Sequence, residues 1–144
     1  MRLTRSLVAP AVALAAALAF AACKDSTGSS ACGSGTAPSL VGTYKLASAT
    51  LGTTSIDTTM GASGQLRFYA STYAFTVTVP LSAPVADSGT YSVNGVRCIS
   101  ESSVLGQGSS SGTFTLSGTT AGSIFNFTGT NTLAGAIGFV AVKQ

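Results

Sequence analysis

Gly89 to Glu101 reads GTYSVNGVRCISE. Asn94-Gly95 inside it, flanked by alternating apolar residues, is the strongest short signal for a two-residue β-hairpin loop. Such a loop sets Val93 opposite Val96, Ser92 opposite Arg97 and Tyr91 opposite Cys98. Arg97 then faces water, and Cys98 shares the inner face with Tyr91. Period-two alternation of this kind means one buried and one wet face, which suits antiparallel sheet.

The same grammar extends outward in both directions. The predicted strands are Leu40–Leu46, Gly64–Ala70, Tyr73–Val79, Gly89–Val93, Val96–Glu101, Gly112–Leu116, Ser123–Thr128 and Ala136–Val142. In Tyr73–Val79, Tyr73, Phe75, Val77 and Val79 oppose Ala74, Thr76 and Thr78; Phe125 and Phe127 likewise oppose Asn126 and Thr128. Short turns near Ser71, Asn94-Gly95 and Ser117–Gly122 alternate with mostly longer loops at Ala47–Ser63, Pro80–Ser88, Ser102–Ser111 and Gly129–Gly135. In an up-and-down meander the tight turns share one end and the long loops the other. A β-sandwich is the alternative, but it requires crossed connections where short turns suggest simple neighbours.

Three strand openings echo each other: Gly42-Thr43-Tyr44-Lys45-Leu46, Gly89-Thr90-Tyr91-Ser92-Val93 and Gly112-Thr113-Phe114-Thr115-Leu116. With the closing Phe139-Val140-Ala141-Val142-Lys143, they give residues 40–144 a chain that resembles the lipocalin-like domains of bacterial lipoproteins. The resemblance implies an all-β fold, a single eight-stranded antiparallel barrel with one closed and one open end.

The N-terminus supports an envelope setting. Arg2 and Arg5 precede an apolar run, Leu7–Ala22, which suits a secretory signal peptide. The run ends Ala21-Ala22-Cys23, which resembles the lipobox of bacterial lipoproteins, so residues 1–22 are expected to be removed and Cys23 lipidated. An ordinary cut after Ala21 is the alternative, and it would leave three cysteines with one unpaired. Lys24 rather than Asp after the lipid cysteine points, by that resemblance, to the outer membrane. Residues 23–39 are rich in Gly and Ser and read as a flexible tether. The remaining cysteines, Cys32 and Cys98, can then pair. In a barrel Cys98 lies near the closed end, and the seven residues 33–39 span up to roughly 25 Å, enough to carry Cys32 across that end. A Cys32–Cys98 bridge is therefore expected; two free thiols are the alternative.

Composition narrows the function. Without its leader the chain has 5 basic and 4 acidic residues, so no basic stripe exists to neutralise phosphates, and a nucleic-acid role is all but excluded. With no His in the chain there is neither a triad nor a Cys/His cluster for zinc, so no enzyme, metal or cofactor is expected. Asp57, Asp87 and Glu101 fall at loops or strand ends with no paired spacing.

The expected inward set is Tyr44, Leu46, Leu66, Phe68, Tyr73, Phe75, Val77, Val79, Tyr91, Val93, Val96, Cys98, Phe114, Leu116, Phe125, Phe127, Ile137 and Phe139. Its many rings favour a filled interior, yet an eight-stranded barrel can also hold one small ligand. In either case Ile56, Met60, Leu81, Val85, Val104 and Leu105 stand near the open end, as candidate contacts for a ligand or partner. The reading is a lipid-anchored envelope protein acting through these loops on an envelope partner, or alternatively a carrier of a small hydrophobic molecule.

Overall fold

The structure is a computed structural model that describes residues 31–144. The expected signal peptide (1–22) and the expected lipid attachment at Cys23 lie outside the described residues. Nine strands follow: β1 (Gly42–Leu51), β2 (Thr54–Asp57), β3 (Ser63–Phe68), β4 (Thr72–Thr78), β5 (Val85–Asn94), β6 (Cys98–Ser103), β7 (Ser109–Leu116), β8 (Ile124–Asn131) and β9 (Gly135–Lys143). Every adjacent pair is antiparallel, and β9 returns to pair with β1. The result is a closed eight-stranded up-and-down barrel with β2 as an extra strand. Closure removes the exposed sheet edges that an open meander would present.

Each of the eight expected strands is present, several of them longer than their apolar pattern. The long first loop instead contains β2 and a short 3₁₀ turn, Thr58–Met60. Leu51 pairs with Thr54 across a tight turn at Gly52, which holds φ +59°. Asp57 caps the 3₁₀ turn by accepting from the Thr59 N–H at 2.8 Å. β1 pairs with β3 only from Gly42 to Lys45, and from Ser48 to Leu51 with β2 instead. A bulge between Leu46 and Ser48 bends β1 at the changeover. The barrel wall is thereby extended toward the long-loop end by β2.

The interior is divided by depth. Toward the tight turns, Tyr44, Phe68, Phe114, Phe125 and Phe127 fill the barrel, each at most 2% exposed. Leu40, ahead of β1, joins this core, and its carbonyl accepts from Tyr44 Oη at 2.9 Å. Toward the long loops several inward positions hold small side chains, among them Ala49, Val77 and Val79, and space remains between them and the rings of Phe75 and Phe139. The filled interior expected from the many rings therefore describes one half of the barrel only.

The central hairpin departs from its expected register. Asn94 pairs with Cys98, Val93 with Ile99 and Tyr91 with Glu101, leaving a three-residue loop, Gly95–Arg97. The slip of three residues inverts the facing of β6. Cys98 takes the outward parity of Asn94 and Thr113, and Val96 is 37% exposed in the turn. Ile99 and Glu101 face inward in their place, 1% and 8% exposed. The cause is a contact distant in sequence. The Cys32 carbonyl accepts from the N–H groups of both Val96 and Arg97, at 3.0 and 3.2 Å, and so holds the turn open. Gly95, at φ +62°, packs directly on the Cys32 and Gly33 backbone, where a Cβ would fall 2.6 Å from the Cys32 oxygen.

The Cys32–Cys98 disulfide is formed, with Cα atoms 4.9 Å apart. β6 lies four positions round from β1, so the segment between Cys32 and Leu40 crosses the tight-turn end of the barrel. Part of the expected tether thus belongs to the folded domain: Cys32 is only 8% exposed.

Candidate functional site: a half-hollow barrel with an acidic wall

The hollow half encloses a cavity of about 330 Å³ that opens among the long loops. That is near the lower end of the roughly 300–1,000 Å³ typical of ligand pockets. Most of its wall is apolar: Ala49, Val77, Val79 and Ile137, with Phe75 and Phe139 stacked at 6.0 Å. β2 contributes Ile56, which packs against Leu46, Ala49 and Val77.

One side is polar. Asp87 on β5, Glu101 on β6 and Tyr73 on β4 all line the cavity. Asp87 is held by three donors: Tyr73 Oη at 2.6 Å, its neighbour's Ser88 N–H at 2.8 Å, and Ser103 Oγ. Ser103 Oγ in turn accepts from the Leu105 and Gln107 N–H groups, both at 3.1 Å, which ties the β6–β7 loop to this carboxylate. Burial, then the hydrogen bond to Asp87, pushes the Tyr73 hydroxyl far above its ordinary range, so it remains a donor.

Glu101 is different. Among the described residues nothing donates a hydrogen bond to its carboxyl, whose oxygens face the open cavity although the residue is only 8% exposed. Burial and, second, the nearby Asp87 charge push it up from 4.5 to about 7. Below 4.5 the folded and unfolded chains both bind this proton. Between 4.5 and about 7 only the folded chain retains it, so stability falls as pH rises through that window. The loss is complete above about 7 and amounts to roughly 3 kcal/mol. Glu101→Gln is accordingly expected to match the wild type in thermal stability near pH 4.5 and to exceed it at pH 8. Parallel melting profiles for the two proteins across pH 4.5–8 would contradict this account of Glu101.

No family model, curated protein or solved structure matches this chain. Its chemistry therefore has to be read from its own residues. Of the six open-end contacts expected from sequence, Ile56 and Val85 line the cavity. Met60, Leu81, Val104 and Leu105 do not line it but stand exposed in the loops at the same end, 55% to 107%. Leu133, in the β8–β9 turn, is similarly exposed at 72% and also reaches the cavity.

The acidic wall was not anticipated from sequence. For Asp87 a signal existed: carrying the Tyr91 and Val93 alternation back past Gly89 puts Asp87 on the inner face, as β5 does. Glu101 was hidden by the hairpin slip, because the two-residue loop assigns Cys98, and not its neighbours, to the interior.

Proposed function

We propose that the protein is a non-catalytic envelope lipoprotein whose barrel holds a small, largely apolar molecule. The observation that carries this reading is the cavity: it is preformed, apolar on most of its wall and reachable from the open end. Eight-stranded barrels have room for one small ligand, and here the hollow half is backed by a rigid aromatic half that keeps its shape. The reading includes a lipid anchor on Cys23 and a location at the outer membrane, supported by the leader sequence. Cys23→Ser should then release the protein from membrane fractions, and persistence there would reject the anchor. A role for the loops in meeting an envelope partner is favoured by one observation: Leu81, Val104, Leu105 and Leu133 each stand exposed on the loops of the open end.

The test is calorimetric titration with naphthylmethanol, a neutral apolar probe of suitable size. Saturable binding is expected, and Val79→Trp, which fills the half-buried wall, should weaken it by at least about tenfold. Absence of saturable binding by this probe and by its amine and carboxylate analogues, or binding indifferent to Val79→Trp, would reject the cavity as a binding site.

A further inference from the structure

We infer that the molecule held in the cavity carries a protonated nitrogen: it is a small hydrophobic amine, its ammonium group set against Asp87 and Glu101. This inference rests on the cavity-binding reading above and specifies the chemistry of its occupant.

Three observations support it. The first is the sign of the charge. Asp87 and Glu101 both line the cavity, and among the described residues neither Lys nor Arg does. Once Glu101 is ionised, above about pH 7, a hydrophobic acid would bring a third negative charge into a space of low dielectric, which like-charge repulsion opposes. The second is the unmet acceptor. Asp87 already has three partners, whereas Glu101, a residue only 8% exposed, turns carboxyl oxygens that have no partner among the described residues to the open space of the cavity. A carboxyl confined to a mostly apolar cavity with no fixed donor is costly to ionise, and a cationic donor is the partner that relieves it most. The third is the shape of the remainder. Across the barrel from the acids the wall is hydrocarbon, from Ala49, Ile137 and Phe139, and Phe75 and Val77 continue it beside Asp87, so an apolar body must accompany the charged head. A bare metal ion does not fit this description, because the described residues bring no three acidic, His or Cys groups together.

The groups facing Glu101 from the neighbouring strands determine its response to pH. Asp87 and Tyr91 come from β5, Tyr73 from β4 and the neutral Ser110 from β7. Of these only Asp87 carries charge near neutrality. Protonation of Glu101 therefore halves the negative charge of the wall, and amine binding should weaken as pH falls below about 7.

Three probes of one skeleton test the inference: naphthylmethylamine, naphthylmethanol and naphthoate, titrated into the disulfide-bonded protein. At pH 8 the amine should bind at least about tenfold tighter than the alcohol, and naphthoate should not bind measurably. Most of that preference should vanish at pH 5, where the amine is still protonated, and in Glu101→Gln at pH 8. Equal binding of alcohol and amine, or tighter binding of naphthoate, would overturn the cationic ligand while leaving the cavity reading standing. A full amine preference in Glu101→Gln would overturn the assignment to this carboxyl. Failure of all three probes would remove the cavity reading and this inference together.

Discussion

Phe125→Ala is expected to destabilise the domain by about 4 kcal/mol, lowering its melting temperature by roughly 15 °C. Phe125 is fully buried, and its ring lies 5.5 to 6.4 Å from those of Tyr44, Phe68, Phe114 and Phe139. Truncation removes the buried ring and leaves a void that these neighbours, fixed on four strands of the closed barrel, cannot collapse to fill. Phe75→Ala is the control. Phe75 is half-buried and already faces the open cavity, so its loss should be about 1–2 kcal/mol. Denaturant melts of the two variants check the division of the barrel into a filled and a hollow half. Equal losses would contradict it.

Breaking the disulfide should have an effect of similar size by a different route. Cys32 and Cys98 are 66 residues apart, and in the chain-entropy model closing a loop of that length stabilises by about 4 kcal/mol. The bridge also holds the crossing segment against the β5–β6 turn, where the Cys32 carbonyl serves two N–H groups. Cys98→Ser, Cys32→Ser and reduction of the wild type should each lower the denaturant midpoint by the same amount. Combining the two substitutions should add nothing further, since they remove one shared constraint. A second consequence is local: residues 33–39 should become sensitive to protease on reduction, while the barrel stays closed through its β1–β9 pairing. An unchanged midpoint under reductant would show that the bridge carries no stability.

These two predictions probe parts that were unequally legible in the sequence. Strand identity was legible because alternation is local: Tyr73, Phe75 and Val77 against Ala74, Thr76 and Thr78 admit one buried face whatever surrounds them. The cysteine pair was legible because two cysteines remain once Cys23 is assigned to the lipid, and because the chain can span the tight-turn end. Its expected geometry was wrong in one respect, since Cys98 meets Cys32 from the outer parity of β6 and not from the core. The bridge tolerates that difference because it sits at the rim, where the crossing segment reaches either face.

What the sequence by itself determined is the antiparallel meander, the two ends and the residues able to bridge one of them. All three follow from interactions between near neighbours in the chain and from its reach. Tertiary structure alone decided the interior. The register of β6 depends on backbone hydrogen bonds from Val96 and Arg97 to Cys32, more than sixty residues away, and that register puts Glu101 inside. The cavity depends on the sum of side-chain volumes at one depth of eight staggered strands, a quantity no single strand's pattern contains. A one-residue slip in any strand exchanges its inner and outer faces, so the acidic wall exists only once every register has been set by the closed barrel.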